Sequence, residues 1–382
     1  MKRPVFAADG PPPPSGGRFS LLDGDPLFEL QRAAHLAGGR HRVLPRALTL
    51  AVIGYLPPLV LALFFGAARG VLVPLHTRFL IAIPILLWAE GFVDSRVQSA
   101  VAGFTGRGLV KPAELPRFRS IVADTEQLHH SVRMAVAIVA VAFGLSGLGG
   151  LMGHTPHLTA GGVAQTMAIE WWVAFLSLPL FRIVLLQWVW RWAVWALLMA
   201  RTSLLDLELQ PAHPDLAGGL GFLEQAAISF LSLQVAVGAV VAGRLAVKLQ
   251  PVWQEIAGFT LITAVMVLGP LALFTRKLVR AKRGGELTYG ELASRHHRLF
   301  AQRWFGTKSG ADSPELLGDP SFSSLADLGT GYGSISRMRP LPIGRLSLAL
   351  LLAVCLAPAV PALLAGVPLN DMLVRVVKNV LL

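Results

Sequence analysis

One cysteine, Cys355, stands in 382 residues, so the chain can build neither a disulfide framework nor a cysteine-based metal site. That thiol lies inside an apolar run, and it says nothing of the redox compartment. Charge is scarce too. Only 15% of residues are charged against 54% hydrophobic, more apolar surface than a soluble core of this length can bury. The excess must face lipid. The N-terminal stretch lacks the apolar core of a cleavable secretory signal and carries Pro11, Pro12, Pro13 and Pro14 in succession, so 1–20 reads as a disordered cytoplasmic tail.

Long apolar runs take the place of what is missing. A span needs roughly 20 apolar residues to cross about 30 Å of hydrocarbon, and seven stretches are expected to qualify: 47–68, 73–93, 134–152, 167–190, 225–243, 256–275 and 346–365. The first should kink at Pro57 and Pro58. The second is weakest, because Arg78 and Glu90 fall within it. The expected fold is therefore an all-α, polytopic helical membrane bundle of about seven transmembrane helices with cytoplasmic helical extensions. It divides into a tail (1–20), an amphipathic helix and linker (21–46), six spans (47–275), a basic helix and irregular loop (276–345), and a last span with a C-terminal amphipathic helix (346–382).

Lys and Arg number 34 against 22 acidic residues, a surplus that elsewhere would suggest nucleic acid. Here the basic residues gather at the ends of apolar runs, which membrane orientation and anionic headgroups explain better than a nucleic-acid groove, so no nucleic acid is expected. They concentrate before the first span, between spans two and three, and above all in 276–345. These segments are expected in the cytoplasm with the N-terminus, and the C-terminus in the periplasm. Trp171 and Trp172 would mark the outer face of span four, and Trp188, Trp190, Trp192 and Trp195 the inner one. Helices are expected to continue inward from 115 into span three and from span four towards Leu205. Near the N-terminus, Asp25 should cap a short helix that starts at Pro26. Asp371, Arg375, Lys378 and Asn379 form a polar stripe on a final helix too short to span.

Ionisable groups inside a bilayer are expensive, so each is a functional candidate. Arg182 lies about 16 Å below Trp171 at 1.5 Å per residue. Glu90 is its expected partner and Glu224 an alternative. An Arg182–Glu90 pair would either fix helix register, the simpler account, or lie on a transport path. Between spans four and five, His213, Asp215, Gly218, Gly219, Gly221 and Glu224 form a glycine-rich loop whose N–H groups could hold an anion, or simply turn tightly under the bundle. It has neither the strand of a dinucleotide fingerprint nor the lysine of a Walker loop.

The histidine pairs His129-His130, His296-His297 and His154 with His157, and Glu126 with His130, lack a third ligand in sequence, so no metal is expected. Gly329 to Gly333 reads as flexible loop. No catalytic residues and no cofactor are expected, and an enzyme is the least favoured class. The 213–224 stretch, Ser323 to Leu328, and Arg337-Met338-Arg339-Pro340 together resemble segments of bacterial multi-pass inner-membrane proteins with no assigned activity. That resemblance runs over most of the spanning region, implies a bacterial inner membrane, and carries over no site residues. Two functions are left open: a transporter-like or channel-like protein, or a membrane-anchored sensor or scaffold recruiting a cytoplasmic protein partner. Anionic lipids and a second copy of the chain are the other expected partners.

Overall fold

A computed structural model describes residues 19–33, 43–65, 69–151, 169–248, 253–305 and 319–360. The tail before Phe19, His154 and His157, and the C-terminal stripe from Asp371 lie outside them. The described residues are helical or irregular, apart from one isolated bridge between Val110 and Leu207. In chain order the helices are α1 (Pro26–Ala33), α2 (Val43–Gly54), α3 (Leu56–Phe65), α4 (Arg69–His76), α5 (Ile83–Gly106), α6 (Leu115–His129) and α7 (Val132–Leu151). There follow α8 (Leu178–Thr202), α9 (Leu223–Ser229), α10 (Leu231–Lys248), α11 (Trp253–Ala272), α12 (Thr275–Trp304), α13 (Pro320–Ser336) and α14 (Arg345–Leu356). Two π-helical turns, Thr77–Ala82 and Val173–Ser177, lead into α5 and α8.

The chain is a multi-pass membrane protein by helix length and hydropathy. Four continuous helices are long and apolar enough to cross a membrane: Leu72–Gly106, Ile169–Thr202, Leu220–Leu245 and Gln254–Ala272. Two further candidates are bent, Val43–Gly54 with Leu56–Phe64 by 42° and Pro112–His129 with Val132–Ser146 by 44°. The described residues thus hold four to six candidate spans; of the seventh expected stretch, 346–365, the apolar helix Arg345–Ala359 is described and 361–365 lie outside the described residues. The weakest expected span, around Glu90, is among the continuous ones.

Local chemistry explains the breaks. Pro57 and Pro58 remove two backbone donors, and the first candidate bends just before them. The helix expected to run unbroken from 115 through span three breaks between His129 and Val132, where His130 turns its ring to the Asp23 carbonyl, 3.0 Å away. Ile169–Thr202 is 34 residues long, roughly 51 Å at 1.5 Å per residue, so about 20 Å of it projects beyond the hydrocarbon core of a bilayer. That projection is the helical extension the sequence led us to expect.

The tryptophans behave differently from the expected belt. Trp188 and Trp195 are 1% and 0% exposed, packed in the core. They face inward because α8 continues past them as one wall of a helical layer. That layer also contains α6, the C-terminal half of α5, and the segment from Leu205 to Phe222. The rings of Phe104, Phe118, Phe222 and Phe274 meet at its centre. The spans Leu72–Gly106 and Leu220–Leu245 run antiparallel: Gly103 faces Phe222 at one end, and Thr77 faces Gly243 at the other.

An irregular loop was expected towards the end of 276–345, with Gly329 to Gly333 flexible, yet α13 occupies Pro320–Ser336. Its small residues serve packing. Gly331 lies against the ring of Tyr289, and Gly290 against Tyr332, so α12 and α13 interlock closely. Asp319 caps α13 through the Ser321 N–H at 2.7 Å and also accepts from Arg303 at 2.6 Å. Phe300, Trp304 and Phe322 close that end, with ring centroids 5.0 Å apart for both contacts of Phe322.

A candidate functional site at a buried charge network

Glu90 lies on the inward face of α5 and is 6% exposed. An isolated carboxylate there would be costly, so it must be paired or neutralised. Arg46 of α2 grips it with both terminal nitrogens, Nη1 to Oε2 at 2.5 Å and Nη2 to Oε1 at 3.2 Å. Arg191 of α8 donates to the same Oε1 at 2.9 Å and, through its other nitrogen, to Asp25 Oδ2 at 3.0 Å. Two guanidinium groups and two carboxylates therefore form a charge-balanced chain, Arg46–Glu90–Arg191–Asp25. All four residues are buried.

The N-terminal segment enters this network because the bundle satisfies its backbone. Asp94, one helical turn beyond Glu90, accepts from the Leu21 N–H at 2.6 Å and from the Ser20 hydroxyl at 3.0 Å. His129 donates to the Leu21 carbonyl at 2.9 Å. Phe19 and Leu21 are buried beside them. Asp25 has a second role in holding α1, with its Oδ1 accepting from the Leu27 and Phe28 N–H groups, as the cap position suggested. The segment is clasped by α5, α6 and α8 together.

Arg182 does not join Glu90. Nine residues separate it from Arg191, roughly 14 Å along the helix; it donates instead to the Ser146 hydroxyl of α7 at 2.5 Å. Glu224 is likewise elsewhere. It accepts from the Gly344 N–H at 2.9 Å and from the Ser347 hydroxyl, tying the start of α9 to the start of α14.

The glycine-rich loop brings its own anion. Asp215 accepts from the N–H groups of Ala217 and Gly219 with Oδ1, at 2.8 and 3.2 Å, and of Gly221 with Oδ2 at 2.8 Å. His213 Nδ1 lies 2.9 Å from Oδ1. Gly218 and Gly219 take φ of +63° and +93°, which glycine adopts without penalty. Burial alone would raise the Asp215 carboxyl, but the three N–H donors and the nearby His213 charge outweigh it and hold it below the usual carboxylate range. The loop's exterior is tied down by Arg339, whose backbone N–H donates to the Leu216 carbonyl at 2.8 Å and whose Nη2 donates to the Asp215 carbonyl at 2.9 Å. Two of the three segments that carried the resemblance thus pack on each other.

Comparison with family models, curated proteins and solved structures finds no match. Among the described residues, no group of three His, Cys, Asp or Glu could hold a metal ion. Sequence reasoning missed Arg46, Arg191 and Asp94. Arg46 is one of the basic residues before the first expected span, and Arg191 lies between Trp190 and Trp192 of the expected inner belt. The available signal was the invading segment itself: an apolar Phe19 and Leu21 with a capping Asp25 is more than a disordered tail needs.

Proposed function

We propose that this chain is an inner-membrane scaffold, in which the helical bundle anchors the preformed α12–α13 hairpin at the cytoplasmic face for an acidic protein partner. The hairpin carries the reading. α12 has eight Lys or Arg and two Glu, and beyond its first turns Leu287, Leu292 and Leu299 are exposed by 77%, 52% and 60%. Apolar anchors within a basic rim suit an acidic amphipathic surface. Arg276, Lys277 and Arg280, next to the end of α11, suit anionic headgroups. The Glu90 network supports the same reading, since its charges are neutralised internally by arginines from two helices and leave little for a translocated ion.

The test is site-specific photo-crosslinking from position 292 or 299 of the full chain in its native membrane. A discrete protein adduct that disappears in Arg295→Glu/Arg298→Glu is expected. Lipid adducts alone would overturn the scaffold. So would solute or ion flux in liposomes that Glu90→Gln abolishes, and that result would restore transport.

A further inference from the structure

Three arginines gather at the other end of the same helices. Arg78 stands in the π-helical turn before α5, Arg182 follows the second π-helical turn by five residues, and Arg244 lies near the end of α10. Thr77 packs on Gly243, the would-be Cβ of which comes 2.5 Å from Thr77 Cγ2, so the residues following these two, Arg78 and Arg244, start from adjoining backbones. Arg78 lies over the Phe181 ring, 5.9 Å from its centroid, one residue before Arg182. The charges of Arg244 and Arg182 both act on Arg78. Twelve residues, roughly 18 Å of helix, separate Arg78 from Glu90, so the charge-balanced network cannot neutralise this group.

Like charges converge at a cost unless something opposes them. Among the described residues, Arg182 has the Ser146 hydroxyl as its polar partner and Arg78 an aromatic face. Among the described residues, no carboxylate forms an ion pair with Arg78, Arg182 or Arg244. Arg78 and Arg182 are half-buried and Arg244 is exposed, which leaves a way in from the surface. Leu80 and Ile81 on the same π-helical turn are exposed by 49% and 44%, as lipid-facing residues would be. Breaks in regular α-helix of this kind concentrate where function needs a re-aimed side chain.

We propose that Arg78, Arg182 and Arg244 form a binding site for a phosphate-type oxyanion, supplied by an anionic phospholipid headgroup or by free phosphate. Guanidinium forks suit this chemistry, since each can present two parallel donors to phosphate oxygens. The site is separate from the hairpin and does not depend on the scaffold reading.

The experiment is thermal unfolding of the full chain in neutral detergent, titrated with phosphatidylglycerol, phosphatidylcholine or inorganic phosphate. Stabilisation by phosphatidylglycerol alone assigns a headgroup, and stabilisation by inorganic phosphate assigns the free ion. Either should weaken about tenfold on losing one charged contact in Arg244→Gln, an exposed position whose variant folds even where Arg78→Gln and Arg182→Gln do not. No stabilisation by either phosphate source, equal stabilisation by phosphatidylcholine, or undiminished binding in Arg244→Gln would each overturn the site.

Discussion

Arg191 donates to the carboxylate of Asp25 across 166 positions of sequence, 3.0 Å apart in space. The N-terminal segment is thereby held by an ion pair buried inside the bundle.

Removing one member leaves a charge without its counterpart. Arg191→Met should destabilise the protein by about 3–5 kcal/mol, the usual cost of breaking a buried pair, measured by denaturant unfolding in detergent. Asp25→Asn combined with it should cost clearly less than the two single losses together. Strict additivity would show that the residues do not act as a pair.

Asp94 can be tested separately, through the backbone it satisfies. Asp94→Ala removes the acceptor of the Leu21 N–H and the Ser20 hydroxyl. Amide hydrogen exchange at 21–23 should then quicken about tenfold, in proportion to a net hydrogen bond of roughly 1 kcal/mol or a little more. Exchange in α13, which among the described residues makes no hydrogen bond to the segment, is the internal control.

Asp215 makes stability depend on acid in a known direction. Its folded carboxyl is held below the ordinary value of 3.8, so the folded state favours the ionised form. The contribution is fully present above that ordinary value and is lost as pH falls below it, through the depressed folded value. Asp215→Asn should lower stability at neutral pH and flatten the acid limb of the profile between pH 5 and 2, the window being about that of a shifted carboxylate. An unchanged limb would remove Asp215 from the account.

Gly219 has a φ of +93°, and a Cβ there would come 3.0 Å from Leu109 Cδ2. Gly219→Ala is expected to cost about 1–3 kcal/mol from backbone strain and contact. Gly91, in the middle of α5 with nothing within 4 Å of a Cβ, should accept alanine without loss. Thermal shifts of the two variants side by side decide it.

Much of this was legible in the sequence, though unevenly. Hydropathy and proline located the four to six candidate spans and the bend just before Pro57, and Asp25-Pro26 announced a helix start. Glu90 was marked as an ionisable group within a span, paired with Arg182. Its partner was misassigned because depth below Trp171 ranked Arg182 above Arg191, while the tryptophans flanking Arg191 read as an interface. Two of the four, Trp188 and Trp195, are interior residues of a helix that outruns the bilayer, which hydropathy alone cannot tell from a belt. α13 was hidden for a different reason. Glycine and serine disfavour an isolated helix, and only the facing Tyr289 shows that those small residues make room for a neighbour.

The reach of the Asp25–Arg191 contact also sets a timetable for synthesis. At about 5–20 residues per second, the ribosome delivers Arg191 roughly 8–33 s after Asp25. During that interval Glu90 can be neutralised by Arg46 alone, and Asp25 has no cation. Closure of the N-terminal segment is therefore a late event, following the arrival of α8. A chain interrupted before that helix would expose an unmatched acid to the quality-control machinery of the cell.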